Sequence, residues 1–270
     1  LAVDRPLVLV PGACLGAWAW DDVAPRLRAL GHDVHAVDLT GQGARADLAG
    51  PAVDLETHIA DVLAVLDGEG LEDAVLVGHS YSGIVVTGAA DRRPGRLDAV
   101  VYLDTGPIPD GMAISDLQDP AQRERQRRDV EERGDGWAWP VPDRDTIATG
   151  VYGSAAGLTD AHYRLIAERA RPQPYATLTR PLRRAHARPP GVRRVAAFFS
   201  DGGVSLAVLR ALMEEGDPTA TVFADPDWEL HELPAGHWAM LTAPEGLADL
   251  LHRIASGPRA GGQASGTLGA

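Results

Sequence analysis

The chain has 270 residues, 45% of them hydrophobic, a formal net charge of −13 and one cysteine. That length suits a single α/β domain with an insertion, and the negative charge argues against nucleic acid or an anionic membrane surface as a partner. A lone Cys14 excludes an internal disulfide framework and a thiolate metal cluster. A chain without lysine has no Schiff-base chemistry, no PLP attachment and no P-loop lysine.

In chain order, Leu7-Val8-Leu9-Val10 reads as a buried strand. Trp18 to Leu30 reads as an amphipathic helix stopped by Gly31, and Asp33 to Leu39 as the next strand. Gly41-Gln42-Gly43-Ala44-Arg45-Ala46 matches the dinucleotide pattern G-x-G-x-x-A. Gly50-Pro51 interrupts it before a helix can run, so a tight loop is expected and no dinucleotide cofactor. Leu55 to Leu66 is a helix, Ala74 to Val77 a strand, Ser82 to Ala90 a small-residue helix and Asp98 to Leu103 a strand. Short apolar runs alternating with helices predict an α/β fold with a mostly parallel sheet of about six strands.

The rhythm breaks at Thr105-Gly106-Pro107. To about His186 the sequence is charged and proline-punctuated, with helices expected over Ala121 to Arg133 and Thr159 to Ala170. Alternation resumes with the strand Val195 to Phe199, the helix Val204 to Glu214, the strand Trp228 to Leu233 and the helix Pro244 to Ile254. The expected organisation is a discontinuous core, 1–106 and 187–256, around a helical cap over 107–186. A Gly/Ser/Ala-rich tail over 257–270 is expected to be disordered. No apolar run reaches the ~20 residues of a membrane span. Leu1 to Pro6 lead into the first strand, so neither a signal peptide nor a membrane is expected, and the expected location is cytoplasmic. The abundance of Arg, Ala, Gly and Pro points to a GC-rich bacterial gene.

Gly78-His79-Ser80-Tyr81-Ser82-Gly83 carries the chemistry. A strand runs into it and a helix leaves it, so this near match to G-x-S-x-G, with Ser82 at the second glycine position and Gly83 one residue further on, predicts a nucleophile elbow with Ser80 at its apex. A serine hydroxyl needs a base. Of nine histidines, His237 lies in a loop between the last strand and the last helix, where such a base belongs. His231 falls within a strand, His252 on the terminal helix, and His79 on the buried side of the turn. Asp201, after Val195 to Phe199, is the expected acid that orients the imidazole; Asp104, after the preceding strand, competes with it. Asp225 and Asp227 lie at the wrong end of the last strand. Oxyanion donors are expected from the amides of Tyr81 and of Ala13, in the loop Pro11-Gly12-Ala13-Cys14-Leu15-Gly16. Cys14 reads as a small packed filler.

Together these residues resemble the α/β-hydrolase superfamily. The likeness is greatest to its branch of plant methylesterases, salicylate-binding esterases and hydroxynitrile lyases, with related bacterial esterases. It is carried by Val8 to Trp18, by Gly31-His32-Asp33-Val34 through Leu39, by Gly236-His237-Trp238-Ala239-Met240-Leu241, and by Gln173-Pro174-Tyr175-Ala176-Thr177 in the cap. The resemblance favours Asp201 as the acid. Pro11 stands where the family usually has His. The lyases carry a hydroxyl residue at the position of Gly12 and a lysine at that of Trp238, so the likeness is to the esterases.

The expected function is a cofactor- and metal-independent serine hydrolase cleaving a carboxylic ester, a lactone or a thioester through an acyl-enzyme. Substrate contacts are expected from Gly12, Cys14, Trp137, Trp139, Tyr152, Tyr175 and Trp238, which suit a small apolar or aromatic ester. A homodimer is left open as an assembly. The rival readings are a biosynthetic enzyme using the same pair for cyclisation, decarboxylation or elimination, and a ligand-binding protein with vestigial activity.

Overall fold

The computed structural model describes residues 5–259, so the expected disorder of the tail over 260–270 lies outside the described residues. The first apolar runs form the middle of a sheet because every one of their side chains is covered on both faces. β1 (Leu7–Val10), β3 (Ala74–His79) and β4 (Leu97–Leu103) are buried along their whole length. With β2 (Val34–Ala36), β7 (Arg193–Phe199) and β8 (Trp228–Leu233) they make six parallel strands in the order β2-β1-β3-β4-β7-β8. Helices α1 (Ala24–Ala29), α2 (Leu55–Gly68), α3 (Ser82–Arg92), α8 (Leu206–Glu214), α9 (Ala239–Thr242) and α10 (Pro244–Ser256) belong to this part of the chain. This is the expected α/β fold, with a parallel sheet of six strands.

Two expected elements are shorter than their patterns. The stretch Trp18 to Leu30 divides into a 3₁₀ turn, Ala17–Trp20, and α1. Pro25, which has no N–H to give, occupies the first turn of α1 and restarts the helix there. The strand Asp33 to Leu39 ends at Ala36, and Asp38 then accepts the N–H groups of Ala17 (2.7 Å) and Ala44 (3.2 Å). The glycine-rich decoy forms a 3₁₀ turn, Gly43–Leu48, with no α-helix at its glycines.

Between β4 and β7 the chain forms α4 (Pro120–Arg133), β5 (Ala138–Trp139), α5 (Arg144–Ala148), α6 (Asp160–Arg169), β6 (Gln173–Pro174) and α7 (Ala176–Thr179). The antiparallel ladder of β5 and β6 is too short to leave an alternating signal in the sequence. Buried Gln173 joins this segment to the core. Its Oε1 accepts the Cys14 N–H (2.9 Å) and the Gln42 amide (3.1 Å), and its Nε2 donates to Thr177 Oγ1 (2.8 Å). At the far end of the segment, the Asp91 carboxylate of α3 accepts the N–H groups of Ala185 and His186, both at 2.8 Å. Burial pushes the Asp91 carboxyl up, but these bonds and the His186 ring outweigh it and hold it below its usual range.

Candidate active site

β3 delivers Ser80 at the carboxyl edge of the sheet, and α3 begins two residues later. Ser80 has φ +52°, the left-handed region that side chains disfavour, and its N–H is held by the Leu103 carbonyl of β4 (3.1 Å). The glycines on either side have no room for a side chain. A Cβ at Gly78 would stand 2.7 Å from a Val86 methyl, and one at Gly83 would stand 2.6 Å from Thr105 Oγ1. Ser82 Oγ donates to the Pro11 carbonyl and ties the elbow to the loop after β1.

His237 follows β8, and its backbone N–H donates to the Ser154 carbonyl (2.8 Å). Its Nδ1 lies 2.6 Å from Asp104 Oδ2. A carboxylate only accepts, so Nδ1 carries a proton, and in the neutral ring the lone pair is on Nε2. The Asp104 side chain also receives the Phe199 N–H (3.3 Å), while its own N–H donates to Ala197 (2.8 Å). Asp104 itself stands at φ +51°.

The expectation for Asp201 is corrected here. Asp201 is exposed, and its carboxylate has no partner among the described residues. Register is the reason. Leu103 pairs with Ala197, so Asp104 leaves β4 level with Phe198, three residues before Asp201. β7 runs on through Phe199, and the chain leaves the strand through Ser200 before it reaches Asp201. There its N–H is bound to Ala235 (3.1 Å) and its carbonyl accepts Ser154 Oγ.

His79 is buried beneath this pair. Its Nε2 lies 2.8 Å from the His237 carbonyl, so Nε2 is the donor. Burial, and then the neighbouring His237, hold its pKa well below the usual imidazole value, so it is neutral at physiological pH. The Tyr81 side chain turns into the core, where its hydroxyl meets His58 Nδ1 at 2.9 Å. The amides of Tyr81 and Ala13 have no acceptor among the described residues, whereas that of Cys14 is taken by Gln173. Burial pushes the Cys14 thiol up to about 12, so it is protonated and unreactive at neutral pH.

A cavity of about 510 Å³ opens over these groups. Gly12, Ala13, Cys14, Ser80, Tyr81, Asp104 and His237 form its floor, with Trp139, Tyr152 and Trp238 in its walls. The Trp139 and Tyr152 rings meet edge to face, 5.0 Å between centroids. Trp137 and Tyr175 do not line it. Asp135 (φ +51°) and Gly136 (φ +75°) reverse the chain ahead of β5, and Trp137 falls in a separate cleft beside Arg133 and Pro140. Tyr175 immediately precedes α7, and its N–H donates to the Trp137 carbonyl (2.7 Å).

Two sets of residues escaped the sequence reading. Gln118, Gln122 and Gln126 line the cavity from the segment entering α4 and from α4 itself. Their four-residue spacing is a legible stripe, hidden by the surrounding charges. Gly153 lies against the His237 ring, where a Cβ would come within 2.3 Å of Cγ. No local pattern announces that contact.

A family model described as the Alpha/beta hydrolase family matches residues 7–250. A carbendazim hydrolyzing esterase from Nocardioides sp. (strain SG-4G) is 33% identical over 259 residues, spanning 90% of this chain and 97% of that protein. Methylesterase 9 of Arabidopsis thaliana is 39% identical over 104 residues, which span 38% of this chain and 40% of the relative. Among solved structures, an extracellular alpha/beta-hydrolase from a Paenibacillus species superposes with a TM-score of 0.74 at 20% identity, covering 92% of this chain and 97% of that one. Tomato methylketone synthase I in complex with 2-tridecanone gives 0.71 at 21% identity, with 94% and 98% covered. At such identities the structures show the fold, and the sequence matches add the lineage: the chain belongs to the alpha/beta hydrolase family, among its esterases.

Proposed function

We propose that the chain hydrolyses a carboxylic ester by nucleophilic catalysis, with Ser80, His237 and Asp104 as the triad. The supporting observation is the 2.6 Å bond from His237 Nδ1 to Asp104, which leaves Nε2 basic in the cavity that also holds Ser80. Ser80 Oγ attacks the acyl carbon as His237 Nε2 takes its proton. The N–H groups of Ala13 and Tyr81 receive the negative charge on the former carbonyl oxygen. His237 then returns the proton to the departing alkoxide, Asp104 steadies the imidazolium, and water repeats the sequence on the acyl-enzyme. Trp139, Tyr152 and Trp238 offer an aromatic wall to the acyl or alcohol group, and the segment 107–186 acts as the cap over it.

The test is labelling with a fluorophosphonate probe, combined with turnover of p-nitrophenyl esters in ¹⁸O water. Label on Ser80, one ¹⁸O in the released acid and a loss of about 10⁶-fold in kcat for Ser80→Ala are expected. Ester turnover surviving in Ser80→Ala, or a product acid without ¹⁸O, overturns the reading.

A further inference from the structure

The cavity has two unlike sides. Its floor is the reacting machinery, and beside its aromatic wall stand three primary amides, those of Gln118, Gln122 and Gln126. Gln122 makes one long bond, from Nε2 to the Val151 carbonyl at 3.4 Å. Gln126 is 1% exposed, and its Oε1 is fully buried with no hydrogen-bond partner among the described residues. Gln118 Oε1 is in the same position. The side chains of neither residue make a hydrogen bond to any described group.

Gln173 shows what a structural glutamine looks like in this protein. It is equally buried, and both ends of its amide are bonded to Cys14, Gln42 and Thr177. Burying an amide without partners is costly, whereas the opposite face of α4 lies in water and is occupied by ion pairs such as Arg127 with Glu124. An apolar ester would leave both orphaned acceptors unpaired when it displaced water from the cavity. A ligand edge with a donor and an acceptor would satisfy the Gln126 amide, its N–H donating to Oε1 and its carbonyl accepting from Nε2, and a primary amide meets such an edge in either of its two orientations.

We propose that Gln126, supported by Gln118, recognises an amide-like edge on the substrate, an N–H beside a carbonyl. The preferred substrates are then esters whose acyl or alcohol part carries an amide, carbamate or ureido group, not plain hydrocarbon esters. This rests on the serine esterase reading and narrows it, with Gln126 as a specificity-determining residue remote from the bond that breaks.

Three p-nitrophenyl esters test it: those of N-acetyl-β-alanine, of its N-methyl analogue, and of hexanoic acid, whose unbranched chain matches the first in length. In the unaltered protein kcat/KM should favour the N–H ester over its N-methyl counterpart by about tenfold or more, because a site built for a hydrogen bond rejects the analogue that lacks it. In Gln126→Met that ratio should fall to near one, with fluorophosphonate labelling of Ser80 confirming an intact site. Gln118→Met gives a second reading should Gln126→Met fail to fold, and a partial fall in the ratio is expected there. A ratio near one in the unaltered protein, or a ratio that survives Gln126→Met, overturns the proposal while hydrolysis of the hexanoate leaves the esterase reading standing. If all three esters are inert and Ser80 takes no label, both fall together.

Discussion

The ends of β4 and β7 are neighbours in the sheet, and each is followed by an aspartate. Only one reaches the histidine. Asp104 follows its strand immediately, in a left-handed conformation that turns the chain at once, and its carboxylate is shared by the Phe199 N–H and His237 Nδ1. β7 continues past that level, pairing Phe198 and Phe199 with Glu232 and Leu233 of β8. Asp201 therefore emerges in water, followed by Gly202 at φ +73° and by Gly203, whose backbone packs on the Phe199 carbonyl. Two loops of like composition thus differ in what their aspartates can do, because strand register sets where each chain leaves the sheet.

Three substitutions sharpen or break this contrast. Asp104→Asn keeps the shape of the side chain but removes the charge proposed to steady the imidazolium, and kcat should fall by about 10⁴-fold in steady-state ester hydrolysis. If kcat is little changed, the β4 loop is not the source of the acid. Gly153→Ala should cost about 10²-fold in kcat, since its Cβ would displace the His237 ring and its φ of +107° disfavours any side chain. Retained turnover there would show that the ring tolerates the shift. Asp201→Asn carries the smallest expected effect, within about threefold in kcat, as befits the loss of one charge on an exposed side chain with no partner among the described residues. A large loss in that variant would return the role of acid to β7 and refute the comparison.

Much of the site was legible locally. Ser80 between its glycines, His237 in the final loop, and the small-residue run at Ala13 are each announced by a few adjacent residues, because elbows and tight loops are built from short-range backbone requirements. The order of strands and helices was legible for the same reason: burial on two faces writes an unbroken apolar run. Gly12 and Cys14 line the cavity, as do three of the five aromatics expected there. Trp139, Tyr152 and Trp238 line it, whereas Trp137 is turned aside by two residues of positive φ. The glutamine row was readable as a spacing but not as a destination.

The sequence by itself determined the fold class, the turn that carries Ser80 and the candidate base, each of which depends on neighbours within a few residues. The partner of His237, the position of Gly153 on its ring and the facing of the α4 glutamines depend on groups that lie far apart along the chain. Only the tertiary structure decided those, because a one-residue change of register between strands moves a carboxylate by about 3.3 Å, the difference between a hydrogen bond and none.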